Sequence, residues 1–212
     1  MYSNTIMVFD FETGSLDINK CEVIQVAAMA INRKTLEPIK DGVLETLIKP
    51  RDFNNLQDEA LAINKKTREE LKLAPSIDAV WKKLADFISM FNNGKGNISA
   101  PIPAGKNIRH FDMPIFQRVC SELGYVDKNG NQTLLNRRNM YDLDEIMMLW
   151  FDNTTVVPNY KMDTLRDFFG LSKANAHDAL TDVLQTSDII LHFLKLHRSI
   201  FPKIKFKDAF RK

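Results

Sequence analysis

Thr5-Ile6-Met7-Val8-Phe9-Asp10-Phe11-Glu12-Thr13 runs from an apolar stretch straight into two carboxylates set two residues apart. Residues 5–9 have the composition of a strand buried on both faces, where hydrophobic side chains follow one another instead of alternating with polar ones. Successive strand side chains point to opposite faces, so Asp10 and Glu12 project from one side at the strand's end and Phe11 from the other. Two like charges held that close repel and raise a pKa unless a cation lies between them. Taken alone, the pair is also what an ordinary solvated surface offers.

Working outward, residues 23–31 repeat the buried-strand composition, with Gly14 to Lys20 as the turn between. A third strand is expected over 43–49, closed by Pro50, with residues 33–42 as its connecting turn, so the chain opens as an antiparallel meander. Helical patterning takes over in residues 56–73, broken near Asn64. It continues behind Ser76, where Val80, Trp81, Leu84, Phe87, Ile88 and Phe91 recur at helical spacing. Short strands are expected at 102–105 and 140–142. Further helices are expected over 111–123, from the end of the 140–142 strand through Trp150, over 163–169 before Gly170, and in a long final run from near His177 through Leu196. Three leading strands followed by alternating helix and strand describe an α/β domain with a mixed sheet.

The chain has 212 residues, 44% of them hydrophobic and 26% charged, enough for one substantial core and short for two. No stretch approaches the roughly 20 apolar residues of a membrane span, and the opening residues lack a secretory pattern, so a cytoplasmic protein is expected. Cys21 and Cys120 have no chelating spacing and are expected as reduced thiols. The net charge of +2 hides an asymmetry. Residues 198–212 carry six basic side chains and one acid, which leaves 23 basic against 26 acidic over residues 1–197. The expected organisation is a domain over 1–197 and a basic tail over 198–212, whose Lys203, Lys205, Lys207 and Arg211 suit a nucleic-acid backbone.

Two further segments carry chemistry. In Asn107-Ile108-Arg109-His110-Phe111-Asp112 the acid sits where a loop becomes a helix, which also fits an N-terminal capping residue. In His177-Asp178-Ala179-Leu180-Thr181-Asp182 the two acids are one helical turn apart on a shared face, and the histidine lies before them where the chain can still bend. Four acids and one histidine in three segments match the needs of a two-metal phosphodiesterase. Carboxylates would hold cations against the charge of an attacked phosphate, beside a base for the attacking water.

These three segments resemble, in order and residue type, the exonuclease motifs of the DEDD superfamily, in the subclass with a histidine in the third motif, the DnaQ-like 3′→5′ exonucleases. Ala60 to Asn64, Met140 to Asp142 and Lys161 to Leu165 agree in order and spacing as well. The resemblance implies a ribonuclease H-like fold: a mixed five-stranded sheet, antiparallel in its first three strands and parallel thereafter, flanked by helices. It implies that Asp10, Glu12, Asp112 and Asp182 hold two Mg²⁺ or Mn²⁺ ions and that His177 is the general base. Backbone groups near Thr13 and Gly14 would take the terminal nucleotide, Leu16 would wedge against its base, and Asn107 and Phe111 would line the same pocket. The implied substrate is a single-stranded DNA or RNA 3′ end, with DNA favoured, nucleoside 5′-monophosphates as product and a polymerase or replication partner possible. Two departures stand out: Gly14-Ser15 replaces the Thr-Gly of many relatives, and Gln25 stands where many carry an acid. An exoribonuclease and a non-catalytic binding module are the competing readings.

Overall fold

A computed structural model describes residues 3–94, 96–174 and 176–203. Strands β1 (Thr5–Thr13), β2 (Val23–Asn32) and β3 (Glu37–Leu47) form the expected meander. β4 (Ile102–Gly105) and β5 (Tyr141–Asp142) add to it in parallel, giving one five-stranded sheet in the order β3-β2-β1-β4-β5. The first strand therefore becomes the centre of the sheet. That position explains the apolar run at its start: Ile6, Met7 and Val8 have no exposed surface.

Period-2 alternation divides the core. Met7, Phe9 and Phe11 pack on one face with α3 (Ile77–Met90) and α4 (Asp112–Glu122), where Trp81, itself fully buried, stacks on Phe11 at 5.7 Å. Ile6 and Val8 pack on the other face with α5 (Leu143–Trp150), α6 (Met162–Phe169) and α7 (Ala179–Ile200). A smaller cluster joins Ile24 to α1 (Asp58–Asn64) and α2 (Arg68–Leu73). The helices start and stop where local chemistry demands. Thr67 and Glu70 form a reciprocal capping box on α2, Ser76 caps α3, and Gly170 closes α6 in the left-handed conformation that glycine adopts freely.

Several bounds differ from those expected. β1 runs four residues past Phe9, because Phe11 and Glu12 stay in register with Val26 and Gln25 of β2. β3 begins at Glu37, since its polar first half pairs with Ile31 and Asn32, and only residues 33–36 are left for the turn. α7 starts at Ala179, and it continues past residue 197 through Ile200 into a 3-10 turn, Phe201–Lys203. Arg198 donates to the carbonyls of Arg33 and Lys34, so the first part of the expected tail lies on the domain. Lys205, Lys207 and Arg211 lie outside the described residues. Cys21 and Cys120 are buried free thiols, Cys120 accepting a hydrogen bond from the Trp81 indole. Among the described residues, no helix is long and apolar enough to cross a membrane.

Candidate active site

The same alternation that puts Ile6 and Val8 toward α7 carries Asp10 and Glu12 to that face, so both acids look toward the start of α7. Asp112 reaches them from the other side of the sheet. β4 pairs with β1 only as far as Val8 and Ala104, so the Phe11 N–H lies beyond the β4 ladder, and the Asp112 carboxylate accepts it at 3.0 Å. The capping role expected for Asp112 is thus replaced. The N-cap position of α4 is Phe111, which makes no side-chain cap, and Asp112 closes the end of a strand instead. Asp178 is the residue that caps a helix here, accepting from the Thr181 N–H at the head of α7.

Asp182 sits one turn into α7 and is held by a residue that periodicity conceals. Arg166 of α6 is fully buried and pairs with the Asp182 carboxylate, with Asp163 at 2.8 Å and with Gln185 at 2.7 Å. Gln25, opposite Glu12 in the sheet, donates to Glu45 at 2.8 Å and to Asp178 at 3.1 Å, so the amide found in place of an acid links β2, β3 and the head of α7. Lys66 lies 3.5 Å from Asp178, and Lys65 donates to the Ala176 carbonyl in the segment that carries His177. His177 is exposed, directly precedes the cap, and has a φ of 64°, a left-handed backbone that bends the chain just before α7.

Crowding of the acids shows in their protonation. Burial pushes the Asp10 carboxyl well above the ordinary range, and the neighbouring Asp112, Glu12 and Asp182 push it further against the opposing pull of Arg166. Burial and then Asp182 raise Glu12 to about 7, with Lys66 opposing. Burial raises Asp112 to about 8, although the Phe11 N–H favours its charged form. Burial also raises Asp182, against the countering charges of Arg166 and His177. Asp178 behaves in the opposite way: its burial is outweighed by Gln25, Thr181 and Lys66, which hold it low.

Donor chemistry tests what this arrangement suits. Hard oxygen ligands that repel one another as anions are what Mg²⁺, Mn²⁺ or Ca²⁺ would neutralise. Among the described residues no three acids, histidines or cysteines are already set in ligating geometry, and the Arg166 pairing engages one Asp182 oxygen. The donor types and their mutual repulsion as anions fit divalent ions.

Beside the acids lies a cleft of about 240 Å³ lined by Glu12, Thr13, Leu16, Ile63, Asn64 and Phe111, among others. Leu16 is 84% exposed in this lining and Ile63, which the sequence offered only as part of the matching stretch 60–64 with no pocket role, is 55% exposed on α1. Gly14 and Asn107 are not among the lining residues. The Gly14 N–H donates to the Glu22 carbonyl and its own carbonyl accepts from Gln57, so this backbone is committed to the fold. Asn107 turns the chain between β4 and α4 with a φ of 50°.

The Exonuclease family model RNase T matches residues 7–190, which takes in every acid above. The chain belongs to the RNase T exonuclease family. It is 25% identical over 195 residues to Protein NEN4 of Arabidopsis thaliana, a match covering 90% of this chain and 67% of that protein. E. coli exonuclease I in complex with a dT13 oligonucleotide has the same fold, with a TM-score of 0.73 at 18% identity. That match covers 95% of this chain but only 43% of exonuclease I. A 3′-exonuclease solved in a study of 3′-end recognition of the histone mRNA stem-loop gives a TM-score of 0.65 at 15% identity, covering 92% of this chain and 83% of that one. The RNase T family exonuclease domain described here therefore has ribonuclease H-like architecture, as its motifs implied.

Proposed function

We propose that this chain is a metal-dependent 3′→5′ exonuclease that hydrolyses terminal phosphodiester bonds of single-stranded nucleic acid, DNA foremost, and releases nucleoside 5′-monophosphates. One observation carries the reading: the end of β1 and the starts of α4 and α7 bring Asp10, Glu12, Asp112 and Asp182, remote in sequence, to a single sheet end, next to an open cleft with apolar walls.

These four carboxylates would hold two Mg²⁺ or Mn²⁺ ions. When bound, such ions neutralise phosphate charge and lower the pKa of water. His177, exposed on a bent segment beside Asp182, takes the proton of the attacking water. Leu16, Phe111 and Ile63 pack against the terminal base and sugar, and Thr13, whose hydroxyl donates to the Ser15 carbonyl, shapes the cleft floor. Gly14 keeps the chain close to Leu56, where any side chain would collide with the Leu56 methyl at 2.3 Å. Asn107 fixes the turn that delivers Phe111 and Asp112.

Oligonucleotides labelled at either end decide the matter. With Mg²⁺ or Mn²⁺ the 5′-labelled strand should shorten stepwise and the 3′ label should leave as mononucleotide. A strand left intact under both ions sinks the proposal. His177→Ala should reduce turnover by roughly 10²–10⁴ while the protein stays folded. The fold shared with the 3′-exonuclease of the histone mRNA study supports an RNA substrate as the second reading. DNA and RNA strands of equal sequence, compared by kcat/KM, separate the two.

A further inference from the structure

Arg166 is the only lysine or arginine that the fold buries among the described residues. A guanidinium deprived of water is costly unless its donors all find acceptors. Here Nε donates to Gln185, Nη1 to Asp163 and Nη2 to Asp182, so a residue of α6 grips two positions of α7 and one of its own helix. The two acidic partners differ. The Asp163 side chain is 60% exposed and its pairing is screened by solvent, whereas that of Asp182 is 18% exposed and faces the guanidinium in a drier setting. Asp182 is also the acid that α7 brings to Asp10 and Glu12.

We infer that Arg166 is the built-in counter-ion of the carboxylate site, a positioning residue that aims Asp182 and competes with divalent ions for it. The inference rests on the metal-dependent reading above and adds a control to it. While the site holds no ion, Arg166 offsets part of its negative charge and keeps α6 and α7 together. An ion that enters must share Asp182 with a charged hydrogen bond and sit near a fixed positive charge. Both effects raise the free metal concentration the enzyme needs. A purely structural ion pair between two helices would have no such effect on metal affinity.

Calorimetric titration of the full chain with Mn²⁺ separates these cases. Arg166→Gln removes the charge and should tighten Mn²⁺ binding about tenfold, the scale of one charge-assisted hydrogen bond. Asp163→Asn, at an exposed position, leaves the Arg166 charge to Asp182 alone and should weaken Mn²⁺ binding roughly two- to fivefold. Opposite movements of the two affinities support the inference. It is overturned if Arg166→Gln folds and binds Mn²⁺ no more tightly than the unaltered chain. Should Arg166→Gln not fold, an Asp163→Asn affinity that is unchanged or tighter overturns it equally. Failure of the unaltered chain to bind Mn²⁺ removes the metal-dependent reading and this one together, whereas normal binding with unmoved variants removes this one alone.

Discussion

Gly105 shows how narrow the tolerances are around the acid-bearing strand. A Cβ added there would lie 2.9 Å from the Phe9 carbonyl oxygen and 3.0 Å from the Ile108 side chain. The Phe9 carbonyl belongs to the central strand of the sheet and cannot step aside as a flexible side chain would. Gly105→Ala should therefore cost about 1–3 kcal/mol of stability through overpacking, read as a lower urea midpoint; an unmoved midpoint would show that the two segments have room to part. At this scale the site was legible only in part. Asp10, Glu12, Asp112, His177 and Asp182 stand out as three ordered motifs. Arg166 does not, because a basic residue in a short amphipathic helix reads as solvated and its partner Asp182 lies across a turn and a loop. Asp112 reads as a cap from its place at a helix start, and only the early end of β4 reveals the strand amide that it satisfies.

Among elements, the junction of β1 with α1 holds the cleft open to one side of the acids. Asn64, buried at the end of α1, donates its amide to the Thr13 carbonyl at 3.0 Å, where the β1 register to β2 shifts. Asn64→Ala leaves that carbonyl without its donor and should destabilise the domain by about 1–3 kcal/mol. Loosening of the α1 wall should also raise KM for oligonucleotide more than it lowers kcat, because Ile63 adjoins Asn64 in the cleft lining while Asp10, Asp112 and Asp182 are not part of it. A variant that loses kcat alone contradicts this division. Element type and order were readable because buried-strand composition, helix caps and helical periodicity are local signals. The bounds of β1 and β3 were not, since both strands lengthen through pairing: Glu12 remains in the sheet because Gln25 lies opposite, and the polar start of β3 because Asn32 does.

Across the whole molecule, the clustered acids tie folding stability to pH and to cations. Glu12 is raised to about 7 and Asp112 to about 8, while in the unfolded chain both return to the ordinary range near about 4. From roughly pH 4 to pH 8 the native state therefore holds protons that the unfolded chain has released, and stability must fall as pH rises through that window. The groups held low act elsewhere: Asp127, lowered to about 2 by Arg137 and the backbone N–H groups of Asn131 and Asn129, adds stability that is lost only as pH drops below the usual carboxylate range. In the presence of a chelator the chain should thus melt at a higher temperature at pH 5 than at pH 8. Mn²⁺ in excess should reverse the order, since ions that bind ionised carboxylates of the native state stabilise it most where those groups would otherwise repel. Thermal melts at the two pH values, with chelator and with Mn²⁺, test both halves. A chelated chain equally stable at pH 5 and pH 8 would mean that the acids stand too far apart, or too wet, to feel one another.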